Sequence, residues 1–414
     1  MKQLSFFTRL HTWIVYIFVF LLPTQLGTFF FISPSYIDGI RIDYLAPSIY
    51  LTDIFALFLI FPIVSKVLIS KNRADSIQRI FTRKILLIGL LLILVNIISS
   101  MKPIITLYSF IKISELVLIF LCIRRYSFQP KMLLRTLFLS ALLQLILVVS
   151  QIMHGGSIQG MWYFFGERSF SLSTPGIAKI VIHGVEILRG YGTFSHPNSL
   201  AGFYLLLYGF VSVYSPFQKY TILRRVFLVI ATLLILFSFS KVAIVGMLIL
   251  SAYSNLQKKT TCILCRASQL IVPIVLGLVF LSGVGDPESI NKRVWLAQSS
   301  LQIIHEHMFV GVGLGNYLIA QSSFQIPYGY FFLQPVHNIF LLIISEIGIP
   351  FTLYLIYVLK GSILKYGRTP AGMIAIMIIV YTGMMDHYWL TLQQNMLLIP
   401  VIFGLLSNNK SVVK

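Results

Sequence analysis

Acidic residues are scarce in this sequence: 12 aspartates and glutamates among 414 residues, against 32 lysines and arginines. Chemistry built on clustered carboxylates therefore has little to draw on. The one closely spaced acidic pair expected on the outer side, Asp286 and Glu288, is separated by Pro287, which fixes a turn and supplies no further ligand. H-E-x-x-H and G-x-S-x-G are both absent, which removes a zincin helix and a nucleophile elbow. Cysteine is scarcer still. Cys122, Cys262 and Cys265 cannot make a disulfide framework, and the lone C-x-x-C lacks the second pair or nearby histidine of a zinc site. Neither a metal nor a cofactor is expected. Charged residues make up only 11% of the chain, whereas 57% is hydrophobic and the mean hydropathy is +0.88. A soluble domain of this length has no interior large enough for so much apolar surface, so the class is a polytopic membrane protein.

Apolar runs long enough to cross a bilayer fall near 13–32, 49–69, 85–101, 104–122, 133–153, 200–215, 226–239, 241–255, 268–284, 338–359, 370–386 and 390–406. The first follows Lys2 and Arg9, is too long for a signal-peptide core and has no small-x-small cleavage site after it, so it is read as a span. The stretch 226–255 is split at Ser238-Phe239-Ser240-Lys241; one long buried helix would invert everything downstream. With that split and an N-terminus in the cytoplasm, 23 of the 32 basic residues fall in inner segments, and every inner loop is basic. The net charge of +20 is therefore mainly an orientation signal, and nucleic acid is not an expected partner. The expectation is an all-α polytopic protein of about 12 transmembrane helices, a single membrane domain over 1–414 with both termini inside. The nine basic residues that orientation does not explain are Arg41, Lys102, Lys112, Arg168, Lys179, Arg189, Lys241, Lys292 and Arg293. An anionic ligand is the obvious alternative reason for their placement.

Two long outer-face loops are expected, at about 154–199 and 285–337. Loops of that length in a compact bundle are usually functional. The first ends in RGYGTFSHPNSLAGF (189–203), where Asn198 or Ser199 is placed to cap the next span and His196 either touches substrate or shapes a turn. In the second, Val294, Ala297, Leu301 and Ile304 recur at helical spacing, an amphipathic helix with Lys292 and Arg293 in its first turn. FVGVGLGNY (309–317) follows, glycine-rich but without the preceding strand of a nucleotide fold.

His337 stands at the edge of the apolar run PVHNIFLLIISEIGIP, with Asn338 as a plausible helix cap. A histidine there is an interfacial anchor or a base; the dipole of the helix that follows favours the neutral, proton-accepting form. Arg189 and Arg293 are solvated loop charges or forks for a diphosphate. Lys241 snorkels to the outer surface or contacts phosphate. Lys112 and Glu115, at i and i+3, read as an internal ion pair. A base with cations that stabilise an anionic leaving group meets the requirement for glycosyl transfer from a lipid diphosphate sugar. Gly348 and Pro350, ~16–20 Å along the helix at 1.5 Å per residue, predict a kink that opens a lateral groove for a polyprenyl tail.

These segments together resemble the O-antigen ligase family and its polymerase relatives. The resemblance lies in RGYGTFSHPNSLAGF, in the R-V-W-L-A…H-E-H-M-F-V-G-V-G-L-G-N-Y run from Arg293, and in His337-Asn338 with nine residues before Gly348. Ser238-Phe239-Ser240-Lys241 is similar to the family's S-R turn, with lysine for arginine, and Phe351 stands where the signature carries a small residue or tyrosine. The resemblance implies a GT-C-like glycosyltransferase in the cytoplasmic membrane, its active site on the periplasmic or extracellular face. It would move a glycan from undecaprenyl diphosphate to a glycan or lipid acceptor (lipid A core, a growing chain or occasionally a protein) without a metal. By the same resemblance His337 is the catalytic histidine and Arg293 and Arg189 are the diphosphate arginines; Lys241, Lys292, His196 and Asn338 are the candidate substrate-binding residues. Asp386 matches a late family aspartate. The rival from another class is a transporter or flippase of the lipid-linked glycan.

Overall fold

The computed structural model of the chain describes residues 2–69, 83–126, 128–182, 184–256, 274–275, 277–278, 280, 288–325, 328 and 332–408. Most of the expected span at 268–284 lies outside them, as do Cys262, Cys265, Asp286 and the basic residues Lys71, Arg73, Arg79, Lys258, Lys259, Arg266, Lys410 and Lys414.

The described residues are mostly helical. In chain order the first helices are α1 (Lys2–Leu21), α2 (Leu51–Ile69), α3 (Arg83–Ile98), α4 (Pro103–Arg125) and α5 (Pro130–His154). After a long connection come α6 (Pro197–Val213), α7 (Thr221–Phe237) and α8 (Lys241–Leu256). The remainder are α9 (Ser289–Glu306), α10 (Tyr317–Gln321), α11 (Ile339–Gly367), α12 (Pro370–Gly383), α13 (Tyr388–Thr391) and α14 (Gln393–Leu406). Among the described residues α4, α5 and α11 are long and apolar enough to cross a membrane, and seven further apolar helices are shorter. Together they make this a multi-pass membrane protein.

The ends of these helices follow from local chemistry. Proline, whose missing N–H costs nothing at a helix start, opens α4, α5, α6 and α12. Thr369 caps α12 by accepting from Gly372 N at 3.2 Å. Gly155, left-handed at φ 71°, closes α5. The split at Ser238–Lys241 is present: α7 stops at Phe237, and Phe239 reverses the chain at φ 51° before α8 begins.

The first apolar run differs from expectation. It is helical only to Leu21, after which Pro23 and Thr24 turn the chain, and the Thr24 hydroxyl donates to Phe165 O at 2.7 Å. The aromatic and β-branched stretch that follows pairs as strands. β1 (Gly27–Phe29) lies antiparallel to β4 (Ser48–Tyr50), and between them β2 (Tyr36–Ile37) pairs with β3 (Ile40–Arg41). A side chain at residue 27 would stand 2.7 Å from the Tyr50 ring, so glycine is required for the β1–β4 approach.

By its contacts the chain divides into two compact units. The first comprises residues 1–26, 123–289 and 366–414, and the second residues 27–122 and 290–365. The first unit is built around α6, which packs on α7, α8, α12 and α14. Its residues are apolar on all sides and almost all buried, as a helix surrounded by others must be. Small residues let partners approach: the Tyr388 ring fills the place a side chain at Gly202 would take, and Ile378 does the same at Gly209. The second unit holds α2, α3, α4, α9, α10 and most of α11. Many of the apolar side chains on α2, α3 and α4 are exposed, as suits helices facing hydrocarbon.

Candidate active site

In the first unit the long connection after α5 carries a hairpin, β5 (Lys179–Ile182) against β6 (Val185–Leu188), and Arg189 follows directly. Leu188 and Tyr191 pack with Phe170, which anchors the segment on both sides of the arginine. Burial pushes the Tyr191 phenol above its ordinary value, partly offset by the Ala178 N–H it accepts and by the charges of Arg189 and Arg168. Gly190 lies so close to Val148 and the Phe237 carbonyl that any side chain there would collide, and its N–H bonds Phe237 O at 2.8 Å.

That approach brings Arg189 to the turn between α7 and α8. Its Nε donates to Ser238 O at 2.8 Å and its Nη2 to Asn198 Oδ1 at 2.6 Å. The Asn198 amide then donates to Asp386 Oδ2 at 2.9 Å, while Asp386 Oδ1 accepts from His387 N at 2.8 Å. The buried His387 bonds Thr391 Oγ1 through Nδ1 at 2.7 Å, with its Nε2 3.9 Å from Asp386. Asn198 is thus a bridge rather than the helix cap expected of it or Ser199. The cap of α6 is His196, whose Nδ1 accepts from Asn198 N at 3.1 Å, and the Ser199 hydroxyl bonds Asn395. Lys241, exposed, begins α8 at its electropositive end, where a cation is disfavoured and an anion welcome. The Ser238–Lys241 turn therefore carries a helix N-terminus and a lysine, with a guanidinium bonded to it.

In the second unit His337 is half-buried just before α11. Asn338 caps that helix as expected, its Oδ1 accepting from Phe340 N at 2.9 Å and Leu341 N at 3.2 Å. Lys292 and Arg293 lie half-buried in the first turn of α9. The expected helix is present, and its two faces differ. Leu296, Ser299, Ser300 and Ile303 face inward, whereas Val294 and Leu301 are exposed. Polar pairing decides the face: Ser300 bonds Ser345 at 3.0 Å, and Tyr317 Oη donates to Leu296 O at 3.3 Å.

The kink predicted in α11 is a break. Gly348 adopts φ 73° and ψ 170° inside the helix, two residues before Pro350. Backbone groups freed by such a break need partners inside a membrane. The glycine-rich segment supplies them: Ile349 N donates to Met308 O at 2.8 Å, Val312 N to Ser345 O at 3.0 Å and Gly313 N to Glu346 O at 2.9 Å. Gly311, Gly313 and Gly315 all have positive φ, and a side chain on Gly311 would meet the Glu346 backbone at 2.4 Å. This glycine spacing is explained by packing into the broken helix, without a phosphate.

Asn96 clamps the same junction, donating to Val310 O at 2.8 Å and Glu346 O at 3.0 Å and accepting from Leu314 N at 3.1 Å. Sequence reasoning passed over Asn96 and the buried Glu346, though each is a lone polar residue in an apolar run, which is itself a signal. It also passed over Asp53. The Lys112–Glu115 ion pair is present at 3.2 Å, but Lys112 lies closer to Asp53, at 2.7 Å.

Residues 226–356 match the protein family described as O-antigen ligase. The match encloses Lys241, Lys292, Arg293, His337 and Asn338, and ends before Asp386. Among curated proteins none matches the chain.

Proposed function

We propose, starting from an O-antigen ligase family membrane protein whose class chemistry is membrane glycan transfer, that the glycan comes from undecaprenyl diphosphate and passes to a hydroxyl of a lipid A core-like or other cell-surface acceptor. Repeat-unit polymerisation is the same chemistry with a growing chain as acceptor. The reaction is placed on the outer face of the cytoplasmic membrane, where the two long connections are expected.

In this reading His337 takes the proton from the acceptor hydroxyl as its oxygen bonds to the sugar C1. The bond from C1 to the diphosphate oxygen breaks, and the departing diphosphate carries the electron pair. Arg189 and Arg293 stabilise that charge, with Lys241 and Lys292 as further cations. Asn338 fixes the backbone beside His337, and His196 orders the start of α6 beside Arg189. No metal is assigned a step. The observation that carries the reading is the family match over residues 226–356, a stretch in which five of these residues lie.

The test is release of undecaprenyl diphosphate from a lipid-linked glycan by purified protein in liposomes, with and without chelator. Loss of His337 as base in His337→Ala should lower the rate about 10²–10⁴-fold. Arg293→Ala and Arg189→Ala should each lower it about 10²–10³-fold, the scale of a lost transition-state donor. Chelator should leave the wild-type rate unchanged. No release with any acceptor, together with movement of the intact lipid between leaflets, would replace the enzyme with a transporter.

A further inference from the structure

Six residues beyond the end of α5 the chain makes a short 3-10 turn, Gly160–Phe165, of sequence GMWYFF. Three of its five large side chains point away from the protein: Met161 and Phe164 are each 69% exposed and Tyr163 is 54% exposed. Trp162 and Phe165 point the other way, onto a small cleft shared with Phe20, Leu143 and Gln144.

The turn is held firmly in this posture. Glu167, almost wholly buried, accepts from Ile158 N at 2.9 Å, Gln159 N at 2.6 Å and Gln151 Nε2 at 2.8 Å, which ties the turn to the last turns of α5. On its other side Thr24 bonds Phe165 O, and Gly166 lies against the Gln25 and Leu26 backbone too closely for any side chain. Gln159, not a glycine, takes φ 62° where the turn begins. A loop that merely collapsed would not project phenylalanine and methionine from so determined a frame.

What covers them is indicated by the helix they follow. On α5 the exposed apolar residues Leu139, Ile146 and Met153 recur every seven residues, so they form one stripe along a membrane-spanning helix. The stripe runs to the end of the span, and the turn is stapled to that same end. Arg168, also exposed, stands four residues beyond Phe164, with reach and charge for lipid phosphate.

We infer that Met161, Tyr163 and Phe164 form a membrane-docking wedge seated at the boundary between headgroups and acyl chains of the leaflet where α5 ends. Its partner is the lipid surface. The lipid-facing stripe of α5 continues into it, and two of its three side chains have no polar tip, which suits acyl chain better than the face of a sugar.

The experiment places a nitroxide at residue 164, at 163 and, as references, at 146 and 169, in full-length protein with Cys122, Cys262 and Cys265 replaced. The protein is reconstituted in vesicles of phosphatidylethanolamine and phosphatidylglycerol, and collision with oxygen is compared with collision with a water-soluble nickel chelate. Labels at 163 and 164 should favour oxygen, as at 146, whereas the label at 169 should favour nickel. If 163 and 164 behave like 169 the wedge is wrong. If they are open to nickel in vesicles and become shielded only on adding a soluble oligosaccharide, the aromatic turn is a glycan platform and the lipid proposal falls. Each readout is a depth, independent of turnover, so its failure leaves the proposed transfer reaction untouched.

Discussion

A guanidinium held by one acceptor can swing; Arg189 is held by two, and one of these is held in turn by a carboxylate. The chain Arg189–Asn198–Asp386 fixes where the charge points before any substrate arrives. Asn198→Ala removes an acceptor from a charged donor, a contact of about 1.5–3 kcal/mol, so transfer should fall roughly 10–100-fold in a protein that still folds. Asp386→Asn keeps the shape but replaces one of two accepting oxygens with an NH2 that faces either Asn198 or His387 N, so it should lower transfer by a similar factor; rates of both variants in liposomes check this. Lys112 bears a different load. It stands between Asp53 and Glu115 with all three side chains largely buried, and Lys112→Met should destabilise the protein by about 3–5 kcal/mol, read as a lost thermal transition in detergent. Adding Asp53→Asn to that variant should restore part of the loss. At this scale the Lys112–Glu115 pair and the cap at Asn338 were legible from local spacing. Arg189, Lys241, Arg293 and His337 stand out because charge at a membrane edge is conspicuous. Asn198 was legible only as a cap, since nothing in local sequence announces a partner 188 residues away.

Among elements, the break in α11 and the glycine-rich segment before it form one object. Each supplies hydrogen-bond partners that the other lacks. Gly311→Ala forces a side chain into the Glu346 backbone at a left-handed position and should cost about 2–4 kcal/mol. Asn96→Leu should cost a similar amount, about 2–4 kcal/mol, by taking the side-chain partner from the Val310 carbonyl and the Leu314 N–H, while Glu346 O keeps the Gly313 N–H. Thermal unfolding in detergent measures both, and unchanged midpoints would remove the interlock from the account. The kink itself was legible in Gly348 and Pro350, because backbone chemistry is local. Its partner was not. Local sequence argued only that no strand precedes these glycines, as a nucleotide fold requires, and held no sign of the broken helix they pack against. The apolar spacing of α9 was legible too, but the inward face at Ser299 and Ser300 was not, because a polar pair across to Ser345 has no local signal.

For the whole molecule, composition and apolar runs were enough to foresee a multi-pass membrane protein and the positions of most helices. They failed at residues 22–32, where apolar content marks a turn and the strand β1 instead of bilayer. Orientation still rests on where the basic residues lie. A single cysteine at residue 169 should react with an impermeant maleimide added outside intact cells, and one at residue 218 only after lysis. The reverse pattern would invert the molecule.

Asn96 has one more consequence, in time. Its partners at Val310 and Glu346 come 214 and 250 residues later in the chain. At ~5–20 residues per second of synthesis, the amide waits roughly 10–50 s in or beside the bilayer before either partner emerges. A ribosome stalled before residue 310 leaves a span carrying a polar group that none of its later partners has answered, a mark by which an unfinished chain differs from a finished one.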